Sequence, residues 1–305
     1  MYLARLIGSN EGYYDSLQML KKLSPALKLL ISAALIYYIF SLIDIDQLKS
    51  NLHNISPTPL IWAVICIILA NVTNGLRLIK YYQNYNLTLA KPYAIKTFLA
   101  GMVYNTVIPG SLGCDGYITY KLKKHYNQPI TDSIKIAILS KLNGLFMLNI
   151  ILCVCLYFSK FNHLIPYYQY VLPLFMILQF PIFRFIGNRY LDEAAKLSLT
   201  TMPYSFIIQI FILAAGYFCM VALGINAPLE YSAMLIISTI ASYIPVTFMG
   251  LGTREAIFYK GNELLGISPE LGVLFALVFF TIFMLASLAG LVFLWQKNLD
   301  TTHTK

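Results

Sequence analysis

Along the 305 residues, long apolar runs alternate with short polar or charged connectors. About twenty apolar residues suffice for a helix to cross the hydrocarbon core of a bilayer. Six segments qualify: Pro25 to Ile43, Leu60 to Ile79, Ile134 to Phe158, Tyr167 to Gly187, Pro203 to Gly224 and Leu271 to Trp295. Two more, Thr97 to Leu112 and Tyr231 to Leu251, are apolar but end in Pro and Gly and run into charge. Helix-breaking residues at membrane depth free backbone groups that only neighbouring protein or a cavity can satisfy. Both segments are therefore read as re-entrant helices. The expected fold class is an all-α polytopic membrane protein, one integral membrane domain over residues 1–305, with about six transmembrane helices and two re-entrant ones.

Composition agrees with the pattern. The chain is 58% hydrophobic and only 11% charged, with a mean hydropathy of +0.68, whereas about a quarter of a soluble domain is charged. The first apolar run starts near Pro25, behind a polar and mixed-charge stretch with no cleavage-site pattern, so no removable signal peptide is expected. Cys66, Cys153, Cys155 and Cys219 lie inside apolar spans and Cys114 beside a break, which gives neither a disulfide framework nor metal-ligand spacing. The net charge of +9 reads as basic loops facing anionic lipid heads rather than as a nucleic-acid surface. With a cytoplasmic N-terminus, 17 cations fall on the inside and four outside (Lys49, Lys160, Arg254 and Lys260), while Lys141 falls within a span. That bias predicts a multi-pass protein of the cell (inner) membrane with both termini cytoplasmic.

The two broken segments are related. Placing Leu112-Gly113 on Leu251-Gly252 also brings Tyr104 onto Tyr243, an offset of 139 residues. The same offset carries the first three spans onto the last three. Each half, 25–158 and 167–295, then reads span, span, broken segment, span. Three crossings per half is odd, so the halves would lie in opposite orientations, the inverted-repeat plan of secondary transporters. In that plan paired Gly/Pro-interrupted segments flank a site near the midplane.

Candidate chemistry gathers at the breaks. A helix that stops around Pro109, Gly110 and Gly113 must line a cavity, and Asp115 then stands at its rim. In the second copy Gly250-Leu251-Gly252 is followed by Arg254 and Glu255 at the start of the next helix. A guanidinium grips two phosphate oxygens at once, and helix N-terminal amides add to the attraction. The alternative is that Asp115 and Arg254 pair with helix ends or with each other. Arg77 and Lys80 close the second span, as lipid-phosphate contacts or as snorkelling anchors. Lys141, about two turns into the third span, needs a partner such as Asp115. Enzymatic signals are poor: His53, His125, His163 and His303 sit in loops or the tail, and inside the spans no two carboxylates lie within one helical turn of each other. No cofactor is expected.

At these residues the chain resembles the transmembrane, flippase-like region of lysylphosphatidylglycerol synthases and its stand-alone relatives. The likeness rests on NTVIPGSLGCDGY, Asn105 to Tyr117, on GLGTREA, Gly250 to Ala256, and on Arg77 at the end of the second span. It implies a bundle with re-entrant helices that moves or binds membrane lipids, and it puts Asn105, Pro109, Gly110, Gly113, Gly250, Gly252, Arg254 and Glu255 at motif positions. Many members carry an Arg where this chain has Lys141 and an acid where it has Asn143, so a salt bridge carried over from the family does not transfer directly. No polar region of the size of the synthases' aminoacyl-transferase domain is present.

The function expected is a lipid translocator or carrier for a lipid with an anionic head group, in contact with the bilayer and not with nucleic acid. A homo-oligomer or a separate lipid-modifying enzyme are the further partners considered. The alternatives are a membrane-embedded transferase, with Asp115 and Glu255 as its only candidate carboxylates, and a non-catalytic partner of a separate synthase.

Overall fold

The computed structural model describes residues 33–106, 112–190, 194–243 and 250–294, the side chains at 186–199 apart. Among the described residues all regular structure is helical. A short apolar helix, α1 (Ala33–Leu42), leads into α2 (Ile45–His53), an amphipathic helix with no buried residue, N-capped by the Asp44 carboxylate. Four helices are long and apolar enough to cross a membrane: α3 (Pro57–Gln83), α6 (Ile130–Phe158), α8 (Ala194–Ala222, apolar from Thr200) and α11 (Pro269–Leu288), the last continued by the single turn α12 (Leu291–Leu294). They correspond to four of the six expected spans. The fourth expected span forms α7 (Tyr168–Tyr190), long enough but interrupted by Pro173 and Pro181 and by Gln169, Gln179 and Arg184. The start of the first, residues 25–32, lies outside the described residues, as does Trp295, and its remainder forms α1.

Boundaries shift for local reasons. The helix expected to begin at Pro203 continues through it from Ala194. The expected span up to Trp295 breaks at Ala289-Gly290, where glycine is required because a side chain at 290 would run into the Leu99 carbonyl.

The two broken segments form helical hairpins. The first is α4 (Lys91–Asn105) and α5 (Gly113–Tyr126), the second α9 (Pro228–Tyr243) and α10 (Thr253–Leu265). At 13 to 16 residues each helix is about 20–24 Å long, short of a hydrocarbon core of about 30 Å. In the first hairpin Tyr104 stacks on Tyr117 at the tip (4.8 Å) and Tyr93 meets Tyr126 at the base (5.5 Å), so the chain enters and leaves at one end. In the second, Gly250 abuts Ser242 near the tip while Tyr231 packs on Phe258 (5.5 Å) toward the base.

The hairpins pack toward opposite ends of α6. The first shares a core with Ile136 and Leu139 early in α6 and with Leu78, Ile79, Tyr81 and Tyr82 of the C-terminal part of α3. The second shares a core with Leu148 and Cys155 late in α6 and with Ala215, Cys219 and Met220 of α8, a core that also takes in Ala63, Cys66 and Ile67 near the start of α3. Between apolar helices in lipid, close van der Waals packing supplies the attraction, which is why small residues line these contacts. Gly75, for example, lets α3 touch the backbone of α4 at Ile95. The outward faces are apolar and bare: Ile61, Trp62, Ile65 and Leu69 on α3 and Leu174, Ile177 and Phe185 on α7.

Candidate functional site

The hairpin tips meet at one cavity of about 250 Å³ in the middle of the bundle. The first contributes Asn105, Cys114 and Asp115, the second Thr239, Ser242, Tyr243 and Arg254. Asn71, Asn74 and Arg77 of α3, Ser140 and Lys141 of α6, Gln209 of α8 and the Phe279, Phe280 and Phe283 rings of α11 close the walls.

Each tip is built by its own local device. At the first, the Cys114 amide donates to the Asn105 side-chain oxygen (2.8 Å), so the end of α4 caps the start of α5. Gly113 is needed there because a β-carbon would overlap the Tyr104 carbonyl. At the second, Gly250 and Gly252 have φ of 80° and 85°, a region side-chain-bearing residues avoid. The Gly252 amide donates to the Glu255 carboxylate (2.6 Å), which closes the first turn of α10. Glu255 is 1% exposed and its other oxygen has no partner. It supports the turn and is not among the cavity-lining residues.

The cations differ in how they are held. Arg77 is buried rather than snorkelling, whereas Lys80 is exposed. Its guanidinium donates to Ser205 Oγ (2.8 Å), Asn74 Oδ1 (2.8 Å) and Ser140 Oγ (2.7 Å), and lies 5.8 Å from the Tyr81 ring. All three acceptors are neutral, so the guanidinium is oriented without its charge being cancelled. Lys141 forms an ion pair with Asp115, each side chain a little more than a quarter exposed. Arg254 rests against the Phe279 ring at 5.5 Å, and its Nε has no hydrogen-bond partner. Asp115 and Arg254, each three residues after the leucine of a Leu-Gly turn, line the same cavity, but Asp115 pairs with Lys141.

Of the residues singled out from sequence, Asn105, Asp115, Lys141, Arg77 and Arg254 come together at the cavity, while Gly113, Gly250 and Gly252 shape the turns behind it. Pro109 and Gly110 lie outside the described residues. Sequence reasoning passed over the neutral polar groups. Ser140, Ser205 and Asn74 hold Arg77, and Asn143, fully buried, donates to Tyr81 Oη (2.7 Å) and Thr201 Oγ1 (2.8 Å), tying α6 to α3 and α8. Asn71 and Gln209 are buried with an unpartnered polar atom each. The signal was there: Asn71, Asn74 and Arg77, and Thr201, Ser205 and Gln209, recur at three- and four-residue spacing, which marks one polar stripe on an apolar helix.

A model of the lysylphosphatidylglycerol synthase TM region matches residues 26–290, nearly the whole chain and both hairpins. The chain belongs to this family. No curated protein matches it. Membership in the lysylphosphatidylglycerol synthase TM region family makes the chain a membrane protein of a lipid-linked family, and the matched model is that of the membrane region of such synthases.

Proposed function

We propose that the protein translocates or carries a phosphate-bearing membrane lipid, its head group in the central cavity and its acyl chains left in the bilayer. The observation that carries this reading is that both hairpin tips reach one cavity presenting two guanidiniums, Arg77 and Arg254, while its lining carboxylate, Asp115, is already paired. A volume of about 250 Å³, roughly that of eight waters, suits a head group and not two acyl chains. Three rings of α11 form an apolar wall beside the cations, as an amphiphile requires.

The halves act as inverted repeats. Element by element, α3 to α6 recur as α8 to α11 at an offset of about 139, and the hairpins pack toward opposite ends of α6. Rocking of one half against the other would present the cavity to each leaflet in turn. Lys80, Lys91, Lys123, Lys124 and Lys135 gather at the end of the first hairpin, the cytoplasmic side, against Lys49, Lys160 and Lys260 at the other. Transport is favoured over catalysis because Asp115 is ion-paired with Lys141 and Glu255 caps a turn, so among the described residues no pair of carboxylates faces the cavity.

The test is movement of a fluorescent phosphatidylglycerol between leaflets of proteoliposomes. Wild type is expected to accelerate it and Arg254→Ala to abolish the acceleration at normal folding. Full activity in Arg254→Ala would return this residue to a structural role.

A further inference from the structure

Two amides lining the central cavity are left unpaired by the protein itself. Asn71 of α3 is 4% exposed and Gln209 of α8 is 5% exposed. Asn71 Nδ2 is a donor without an acceptor, and Gln209 Oε1 an acceptor without a donor. A buried polar atom costs free energy until something pairs with it. The two residues face one another. α3 and α8 run antiparallel, with the Ser56 amide donating to the Ala222 carbonyl at one end (3.0 Å) and Arg77 to Ser205 Oγ toward the other (2.8 Å). Between these two contacts Asn71 and Gln209 fall nearly level.

The chemistry that satisfies both atoms is narrow. An alcohol donates its proton to Gln209 and accepts from Asn71, and turning both amides over exchanges the roles but leaves the same need. An ionised phosphate only accepts, so it would leave Gln209 unpaired. An ammonium only donates, and it would enter beside Arg77, Lys141 and Arg254, against which the lining sets one carboxylate among the described residues, Asp115. The cations therefore suit the phosphate and the amides suit an alcohol. The spacing agrees. Arg77 reaches along α3 to Asn74 Oδ1 (2.8 Å), and Asn71 is the next residue of that polar stripe, about 4.5 Å further along the axis. A phosphate and a hydroxyl on its own substituent are separated on this scale.

We propose that the cavity selects a phosphodiester lipid whose head group ends in a neutral polyol, glycerol or a sugar, over one that ends in an amine or a bare alkyl group. The phosphate lies with Arg77 and Arg254, and one hydroxyl bridges Asn71 and Gln209. This rests on the reading of the cavity as a head-group site.

The experiment titrates the purified full chain in detergent with dioctanoyl phosphatidylglycerol and with dioctanoyl phosphatidylpropanol, which has the same charge and carbon count and lacks both hydroxyls. Wild type is expected to bind phosphatidylglycerol about tenfold more tightly, the effect of two hydrogen bonds. Asn71→Leu and Gln209→Met each remove an unpaired buried amide and should fold, as thermal unfolding checks. Each should bring the two lipids to similar affinity, with the loss falling on phosphatidylglycerol. Free glycerol phosphate at the same concentration should not displace the lipid. Equal affinities in wild type, a preference that survives both substitutions, or an equal loss for both lipids in the variants overturns the hydroxyl site and leaves the lipid reading standing. Binding of neither lipid by wild type, or displacement by glycerol phosphate, overturns the lipid reading and the selectivity with it.

Discussion

The two hairpins share a plan and differ in chemistry. Both are pairs of short helices whose tips reach the central cavity, and in both a glycine opens the second helix. The first tip is closed by a side chain, Asn105, and presents an acid that is already paired. The second is closed by two glycines with positive φ and by Glu255, and at the position aligned with Asp115 it presents Arg254, with no carboxylate partner within the cavity among the described residues. The difference teaches that two hairpins can meet the same backbone need, a tight turn into a second short helix, with different side chains, and still present an ion-paired acid on one side of the cavity and a guanidinium on the other.

The largest expected effects come from the glycines that make the tips possible. Gly113→Val would drive its side chain into the Tyr104 carbonyl, and Gly252→Val would combine a forbidden φ with a clash against Leu35. Each should cost about 3 kcal/mol or more, seen as loss of folded protein in thermal unfolding monitored by size exclusion. If Gly252→Val were tolerated, the second tip would not need its glycine turn.

Next comes the cation. Arg254→Ala should weaken phosphatidylglycerol binding by about thirtyfold or more, measured by titration. Its thermal midpoint should move little, since the side chain rests on the Phe279 ring, a contact worth about 0.5–1 kcal/mol. Arg254→Lys should recover only part of the binding, because an ammonium lacks the two-pronged fit to phosphate.

The caps sharpen the comparison at smaller scale. Asn105→Ala and Glu255→Ala should each cost about 1–2 kcal/mol of stability, because each removes the side-chain acceptor of a turn amide. The smallest effect is expected at Gly116, which follows Asp115 on α5 and has nothing within 4 Å of a built β-carbon. Gly116→Ala should stabilise by about 0.5–1 kcal/mol in the same thermal assay, which separates glycines needed for close approach from one that is not.

Much of this was legible in the sequence because lipid imposes simple rules. Apolar length located α3, α6, α8 and α11, and Gly/Pro interruptions beside charge located both hairpins, since a broken helix at depth must have a reason. Lys141 and Asp115 were matched because an unpaired ammonium inside a span is costly. Other features depend on which helix faces which. That Arg77 turns inward onto Ser140 and Ser205 follows from the crossing of α3 with α6 and α8, and nothing near Arg77 in the chain encodes it. The contact of Glu255 has a local origin instead: three residues after a helix-opening glycine, a Glu reaches back to the amide of its own turn.

The central claim is that the head group sits between the two tips, and the most direct measurement maps where a lipid phosphate touches the protein. Phosphatidylglycerol carrying a photoreactive group next to its phosphate would be crosslinked in proteoliposomes and the labelled peptides sequenced. The account predicts labels on both tips, in Met102 to Asn105 and in Thr239 to Tyr243, lost in Arg254→Ala. Labels confined to the outer groove of about 430 Å³ between α2 and α11, at Leu52, Leu277 and Leu285, would contradict it.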